Sequence, residues 1–425
     1  MNFALCAAVG AHAETEIRDT EIEAGVTQMI APLAQAAGIP AGRLKVHIIG
    51  DDDFNAFFAG GSDVFVYTGL LIQIKSESAF QAVIAHEMGH MLGGHMAQMS
   101  AQIQAEMMRS LIMQALGVGL MALNPMAGAG VLAGSSGIAR QSMLSFSRDE
   151  ERLADDAAVD LMVKANLDPS GLLVVFDQMK EMTGVAETRV NPHNINHPLT
   201  GERIRNAKDK IAKLEKTEYK KSSFDFEIIR AKLIGYLQSE KQVASQYPMS
   251  DKSDAAIYAR AIRFMRSGNL KTATTGTQTL ISRHPNNPYF YELLGDIEYQ
   301  FGHYDDSVAA YEKSLGLVGA NHIRPPQIQT ALALVLAERR KPGDASRAIE
   351  LCKEAILTEP QPLTYWVLAK AYGDDDGRGD WARAEFYNMM NKEKDSKRYA
   401  KLAQSKLPPS APEYIKAGDL LSSSH

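Results

Sequence analysis

The sequence predicts a mostly α-helical protein, with an α+β N-terminal domain that contains a small β-sheet and a C-terminal α-solenoid. Apolar residues recur at helical spacing through both halves of the chain, as is typical of packed helices. The β-rich stretches are short and lie between Leu44 and Tyr67, which indicates a small sheet. Gly268 and Gly302 are 34 residues apart, a period that indicates stacked helix pairs in the C-terminal half.

Length and charge limit the possible classes. A chain of 425 residues favours two or three domains, and its 45% hydrophobic and 23% charged residues are ordinary for a globular protein. We expect one domain over residues 14–220 and another over residues 221–425. The net charge of -6 gives no basis for binding nucleic acid, so no such partner is expected.

Residues 1–13 are expected to be the remnant of a signal peptide. Phe3–Val9 is a short apolar run, and Ala11–Ala13 has the small-residue pattern of a cleavage site. The usual preceding basic residues are missing, and a frayed, alanine-rich N-terminus is the alternative. Because Cys6 lies in this segment, Cys352 is left alone, so we expect no intrachain disulfide and interpret Cys352 as a buried small hydrophobe.

The first elements follow from spacing and from breaker residues. Residues 14–37 have the apolar spacing of an amphipathic helix that stops at Gly38-Ile39-Pro40. Residues 44–49 and 63–67 read as strands. A strand just before the next long helix is a natural edge for pairing with an extended peptide, and an ordinary core strand is the alternative. That next helix is predicted over residues 77–95, with Ser76 as its cap.

The HEMGH segment at residues 86–90 is the central motif. His86 and His90 are four residues apart, so both imidazoles lie on one helix face at a spacing that suits two ligands of Zn²⁺. Glu87 follows the first of them and is placed to act as general base toward water at the metal. A chance match is the alternative, and the apolar helical context argues against it.

A third ligand has to come from elsewhere in the chain. Residues 147–164 read as a helix, on which Glu151 is the candidate ligand. Asp155, four residues on, can accept a hydrogen bond from a ligating histidine. Spacing alone does not choose Glu151 over Glu150, and either could be a solvated carboxylate at a helix start.

The combination of HEMGH with Glu151-x-x-Ala154-Asp155 resembles the gluzincin zinc metallopeptidases that include the CAAX prenyl proteases and HtpX. The resemblance covers roughly residues 55–208. It implies hydrolysis of peptide bonds, with one Zn²⁺ held by His86, His90 and Glu151 and with Asp155 supporting a ligand.

The segment from His197 to Arg203 resembles the His-Pro…Arg loop of the same family. The resemblance implies that His197 approaches the metal, where it either stabilises an oxyanion or keeps the enzyme latent, and that Arg203 orders the loop or the site. The alternative places His193 and His197 on a loop surface. His95 is interpreted as a supporting or structural residue, not as a ligand.

Residues 114–139 contain no charged side chain. Glycine and proline divide this stretch into two runs of roughly ten residues, which suits a buried helical hairpin or a mobile flap. A peripheral contact with membrane is the other possibility.

The C-terminal half resembles about four tetratricopeptide repeats between Phe226 and Leu407. Stacked repeats present a concave face on which a protein partner is expected to bind. A plain helical bundle would not explain the fixed period.

The resemblance implies a soluble periplasmic branch of the family with C-terminal tetratricopeptide repeats. We therefore expect an exported, zinc-dependent endopeptidase that acts in protein quality control and outer-membrane protein assembly, with the assembly machinery as a possible partner. Two alternatives stay open. One is a chaperone or scaffold that acts through the repeats while His197 keeps the protease site silent, and the other is a purely structural zinc site.

Overall fold

The computed structural model describes residues 15–40, 42–59, 62–94, 147–185, 197–215, 218–222, 224–318 and 325–422. The predictions for residues 1–13, His95, His193 and residues 114–139 lie outside this part of the chain. The described residues of Gly10–Ile17 and Ile22–Arg230 form one compact unit, here called the sheet unit. Those of Arg18–Glu21 and Ala231–His425 form another, here called the repeat unit.

The elements before residue 220 are mixed. In chain order they are β1 (Thr15–Ile17), α1 (Thr20–Ala36), β2 (Lys45–Gly50), β3 (Ala56–Ala59), β4 (Asp63–Tyr67), α2 (Thr68–Gln73), α3 (Glu77–Leu92), α4 (Arg148–Lys164), α5 (Gly171–Val185) and α6 (Gly201–Ala212). The strands form one sheet in the order β1-β2-β4-β3, in which β2 and β4 are parallel and the other pairs are antiparallel. In the described sheet β3 is therefore an edge strand, whereas β4 is internal.

The N-terminal helix is shorter than its sequence predicts. Residues 14–37 were expected to be helical throughout, but the helix starts at Thr20 and residues 15–17 form β1. These three residues pair with β2, from Thr15 opposite Gly50 to Ile17 opposite Ile48. Backbone hydrogen bonds to a neighbouring strand outweigh a helical pattern at the end of a segment, where helix propensity is weakest.

The predicted central helix is α3, and it is buried along most of its length. All its residues from Ala79 to His90 are buried, so it has no solvent face over three turns. Ser76 caps it as predicted, since its Oγ accepts a hydrogen bond from Ala79 N at 3.2 Å. The helix ends at Gly93 and Gly94, and the latter has a φ of +70° that only glycine adopts without strain.

The C-terminal half is entirely helical in the described residues. Its helices are α7 (Phe226–Leu237), α8 (Glu240–Gln246), α9 (Asp254–Arg266), α10 (Leu270–Arg283), α11 (Pro288–Gln300), α12 (Tyr304–Leu317), α13 (Pro326–Arg339), α14 (Asp344–Thr358), α15 (Pro362–Tyr372), α16 (Gly377–Met389), α17 (Glu393–Lys406) and α18 (Pro412–Ser422). Together with the small sheet they confirm the predicted fold class.

The predicted repeats correspond to consecutive helix pairs. Gly268 and Gly302 both have positive φ, +78° and +80°, and make the same turn within the pairs α9–α10 and α11–α12. The pairs α13–α14 and α15–α16 complete the predicted set. Helix α17 also lies in the region predicted for the repeats, which ends at Leu407, and α18 lies beyond it. Cys352 is fully buried in this core, as expected. Among the described helices, none is both long and apolar enough to cross a membrane.

Candidate metal centre

Helix α3 places the two histidines of the motif one turn apart and buries both. His86 is 4% exposed and His90 is fully buried, and their Nε2 atoms are 3.1 Å apart. Both Nε2 atoms therefore face one position, within the reach of a single metal ion. The predicted pairing of these side chains on one helix face is therefore what the structure has.

Helix α4 separates the roles of the two adjacent glutamates. Glu150 forms a capping box, because its carboxylate accepts from Ser147 N at 2.8 Å and Ser147 Oγ accepts from Glu150 N. Glu151 is 1% exposed and faces α3, with Oε1 3.3 Å from His90 Nε2 and Oε2 3.5 Å from His86 Nε2. The structure thus brings Glu151, and not Glu150, to the histidine pair.

A close approach of α3 and α4 depends on a glycine that the sequence analysis did not single out. A Cβ on Gly89 would lie 2.9 Å from Ala154 O and 3.2 Å from Ala157 Cβ. Real Cβ atoms do not tolerate such contact with backbone, so Gly89 lets Glu151 reach the histidines. In the sequence, a glycine in the middle of a helix predicted to be buried could have indicated this close approach.

His197 joins the same cluster from the segment before α6. It is 4% exposed, and its Nδ1 lies 2.8 Å from Glu151 Oε1 and 3.3 Å from His86 Nε2. Its Nε2 is 3.6 Å from Oε1 of Glu87. The surface-loop alternative for His197 is therefore wrong in this structure.

Arg203 holds the His197 segment against the site. Thr200 caps α6 by accepting from Arg203 N at 3.3 Å, which fixes Arg203 in the first helical turn. The Arg203 side chain is buried and donates to Pro198 O at 3.0 Å. It also forms an ion pair with Glu151, in which Nη1 lies 2.5 Å from Oε2. Its guanidinium also lies over the ring of Phe176, 5.3 Å from the centroid.

Asp155 connects the arginine to the first histidine. Its two oxygens accept from Arg203 Nε and Nη2 at 2.7 and 2.8 Å, a bidentate pair. Its Oδ1 also lies 3.0 Å from His86 Nδ1, the nitrogen that faces away from the cluster. A carboxylate in this position fixes the tautomer and the orientation of an imidazole whose other nitrogen binds a metal.

Burial and ion pairing shift the pKa values of these groups strongly. Burial lowers the pKa of His90 to about 3, so this imidazole is neutral. Burial also disfavours a charged His86, but hydrogen bonds to Asp155 and Glu151 outweigh it and raise the pKa of His86 to about 10. Burial raises the pKa of Glu87, whereas hydrogen bonds from the three histidines overcome burial and hold the pKa of Glu151 well below its usual range.

The donor set fits a divalent metal ion. One atom from each of His86, His90, Glu151 and His197 lies within 4.8 Å of all the others. Bonds of 2.0–2.1 Å in a tetrahedral site place ligand atoms about 3.3 Å apart, close to the separations found here. Glu87, Glu151 and Asp155 are buried around the site, and a bound cation would stabilise their charged forms.

Glu87 completes the arrangement from beside the ligand atoms. Its side chain is buried, and its Oε1 has no hydrogen-bond partner among the described residues. A buried carboxylate oxygen normally has such a partner, so this atom is available to a bound molecule. A second group able to hold a metal in the described residues, Glu298, His303 and Asp306, is more exposed.

The chain is similar to known peptidases. Residues 20–211 match the model of peptidase family M48, which bears out the predicted resemblance to a metallopeptidase family. The "Beta-barrel assembly-enhancing protease" of Escherichia coli (strain K12) is 25% identical over 259 residues, or 59% of this chain and 53% of that protein. Its counterpart in Yersinia pestis is 23% identical over 357 residues, or 81% and 71% of the two chains.

These relatives are distant. The chain spans about half the length of the first of them. Among solved structures, a tetratricopeptide-repeat protein of Thermus thermophilus is 16% identical and has a TM-score of 0.27, with 45% of this chain and 91% of that chain covered.

Proposed function

We propose, from the match of residues 20–211 to peptidase family M48, that this chain is a zinc-dependent endopeptidase that hydrolyses peptide bonds in protein substrates. The observation that carries the proposal is the convergence of donor atoms from His86, His90 and Glu151 beside the buried carboxylate of Glu87. Two imidazoles and one carboxylate are a common donor set of hydrolytic zinc sites. Similarity to a peptidase family favours this function over the scaffold alternative.

Catalysis would rest on Glu87 as general base and acid. His86, His90 and Glu151 would hold a zinc ion, which would supply Lewis acidity toward the scissile carbonyl and the attacking water. Glu87 Oε1 accepts the proton of that water, since it is buried and has no competing partner in the described residues. Because burial raises the pKa of Glu87, the carboxylic acid then has a strength suited to protonating the leaving nitrogen.

We also propose that His197 keeps the enzyme latent in the arrangement described here. A catalytic zinc site keeps one position open for water or substrate. His197 Nδ1 lies among the other donor atoms, 2.8 Å from Glu151 and 3.3 Å from His86, where that open position is needed. In the other predicted role, His197 would move aside and donate a hydrogen bond to the oxyanion.

Hydrolysis of an unstructured protein such as casein tests both proposals. Glu87→Gln should keep its zinc and lose at least about 100-fold in activity, because it removes the general base. A folded Glu87→Gln protein with full activity would contradict the assignment.

The His197→Ala protein decides the role of His197. If His197 enforces latency, removing it should raise casein hydrolysis above the wild type. If His197 stabilises the oxyanion, the same substitution should lower it, and the latency proposal fails. His284→Ala is a suitable control, since His284 is exposed and pairs with Asp254 in the repeat unit.

The cellular role is proposed from the predicted export signal and from the relatives. The name "Beta-barrel assembly-enhancing protease" supports a role in the assembly of β-barrel proteins. With the predicted export signal, it leads us to propose a periplasmic role in the quality control and assembly of outer-membrane proteins. The stacked helix pairs support binding of a protein partner, because such arrays offer an extended concave surface. Osmotic-shock fractionation of cells that produce the tagged chain should release it with periplasmic markers, and a chain found only in the cytosol would contradict this role.

A further inference from the structure

Four consecutive residues near the N-terminus belong to the repeat unit and pair with its helices. Arg18–Glu21 and Ala231–His425 form one compact unit. The pairs are Arg18 with Glu359 after α14 (Nη2 to Oε2, 2.7 Å), Asp19 with Lys232 on α7 (2.9 Å), Thr20 with Gln327 on α13 (3.3 Å) and Glu21 with Tyr258 on α9 (2.6 Å). Helices distant in sequence thus contact successive side chains of one short segment, as repeat arrays do with bound peptides.

Lys232 is the centre of these contacts. It is 4% exposed, and its Nζ lies 2.9 Å from Asp19 and 3.1 Å from Glu21. Glu21 is 1% exposed and also accepts the hydroxyl proton of the fully buried Tyr258. One buried ammonium therefore binds two carboxylates on alternate residues, a pattern that selects for acid-x-acid segments.

Three carboxyl groups face the single ammonium of Lys232. The carboxylate of Glu292, on α11, is 3.8 Å from Lys232 Nζ, and its Oε2 has no hydrogen-bond partner in the described residues. Burial raises the pKa of Glu21 and raises that of Glu292 to about 8. Three carboxyl groups thus compete for one ammonium, and the interaction of Lys232 with each of them is weaker as a result.

A small cavity adjoins this cluster. Its volume is about 30 Å³, enough for a water molecule or two, and Asp19, Lys232 and Glu292 are in its lining. The lining also includes the partly buried Tyr299, Leu363 and Trp366. The segment is therefore not packed on all sides, and apolar side chains beyond it could contact a longer peptide.

We propose that the repeat unit contains a binding site for protein segments with acidic residues at alternate positions after an arginine, and that residues 18–21 occupy it as an intramolecular competitor. The partner is an acidic segment of another protein, whose arginine replaces Arg18 at Glu359 and whose two carboxylates replace Asp19 and Glu21 at Lys232. The proposal goes beyond the peptidase activity and does not depend on a metal, so either can fail without the other.

Peptide binding in trans tests the proposal. The probe is a fluorescein-labelled peptide with the sequence of residues 16–23, EIRDTEIE, measured by anisotropy with the full chain carrying Glu87→Gln to prevent cleavage. While residues 18–21 fill the site, the labelled peptide can bind only to the fraction of protein molecules in which the site is open. Its apparent affinity therefore falls in proportion to that fraction. Adding Asp19→Asn and Glu21→Gln to the protein should therefore tighten binding at least about tenfold, and further adding Lys232→Met should abolish the gain.

Two controls make the result decisive. The peptide EIRNTQIE, which lacks both carboxylates, should bind at least about tenfold more weakly to the doubly substituted protein. Arg18→Ala removes a partly exposed contact and leaves the buried cluster intact, so it should give a smaller gain in the same direction even if the double substitution impairs folding. Equal affinity of the wild-type, Arg18→Ala and doubly substituted proteins, or equal binding of both peptides, would show a permanent intrachain contact and overturn the proposal.

Discussion

At the residue scale, the geometry of the candidate metal centre depends on the buried guanidinium of Arg203. The sequence predicted that Arg203 orders the loop or the site, but not which groups it contacts. Arg203 donates to Asp155 and to the backbone of the His197 segment, and it forms an ion pair with Glu151. One guanidinium thus stabilises Glu151, Asp155 and the segment that carries His197. Removing one member of such a buried network leaves the others charged and unpaired. Arg203 is therefore a positioning residue on which the geometry of the whole site depends.

Arg203→Ala should lower the free energy of unfolding by about 3–5 kcal/mol, because it leaves the buried carboxylates of Asp155 and Glu151 without their cationic partner. Urea denaturation measures this. Arg205→Ala is the matched control, since Arg205 lies on the exposed face of the same helix and its removal should change the value by less than about 0.5 kcal/mol. Equal effects of the two substitutions would contradict this role of Arg203.

Glu151→Gln should abolish stoichiometric zinc binding, whereas Glu150→Gln should leave it unchanged. The first loses an anionic ligand between the two histidines, and the second retains an oxygen that can cap α4 at Ser147. Metal analysis of the purified, dialysed proteins gives the comparison. Loss of zinc from Glu150→Gln with retention in Glu151→Gln would reverse the assignment.

The sequence could not decide between these glutamates on physical grounds. Adjacent helical residues differ by about 100° in direction, and only tertiary packing determines which direction faces the partner helix. The pair His86 and His90, in contrast, was predictable because four-residue spacing places both on one face whatever the packing. Asp155 was predictable relative to Glu151 for the same reason.

At the element scale, the site requires α3 and α4 to lie very close together. Gly89 lies between His86 and His90, and its Cα faces the backbone of Ala154 on α4. A side chain there would force the helices apart and move Glu151 away from the imidazoles. The site therefore requires the short distance between α3 and α4 as well as the side chains that would bind the metal.

Gly89→Ala should lower zinc affinity by roughly tenfold or more, because misplacing a ligand or its support typically costs 10–100-fold. Zinc competition with a chromogenic chelator measures this. Gly316→Ala is the control: Gly316 lies on α12, an added Cβ would meet nothing within 4 Å, and the helix should gain up to about 1 kcal/mol. Unchanged zinc affinity in Gly89→Ala would contradict the close-approach argument.

The sequence predicted the start of a helix correctly where a capping residue marks it. Ser76 and Ser147 cap the helices they were expected to start, because a serine oxygen satisfies free N–H groups locally. Strand β1 was missed, since its three residues owe their conformation to β2, which is distant in sequence. Helix α17 lies in the region predicted for the repeats, which ends at Leu407, whereas α18 was not predicted.

At the scale of the whole molecule, the proposed chemistry and the proposed recognition lie in different compact units. The sheet unit contains every residue predicted for the metal centre, although these residues come from three separate stretches of the chain. The repeat unit contains helix pairs and a buried charged cluster around Lys232 that sequence spacing gave no means to predict. Charged clusters assembled from distant residues leave no periodic signal.

The charged cluster around Lys232 should make the folded protein less stable as the pH rises. The pKa of Glu292 is raised from 4.5 to about 8 in the folded protein, so the folded state binds more protons than the unfolded state between these values. Its contribution is fully present below about pH 4.5 and is lost as the pH rises through 8. The melting temperature of the wild type should therefore decrease more between about pH 6 and 8.5 than that of Glu292→Gln, as measured by calorimetry, and parallel curves would contradict this.

The proposed peptidase site depends on one metal ion bound between α3 and α4. The most direct measurement is anomalous diffraction at the zinc edge from crystals of the purified chain. We expect one strong peak about 2.0–2.2 Å from His86 Nε2, His90 Nε2 and a Glu151 oxygen. No peak at this position in zinc-soaked crystals, or a peak that Glu151 does not contact, would contradict the central claim.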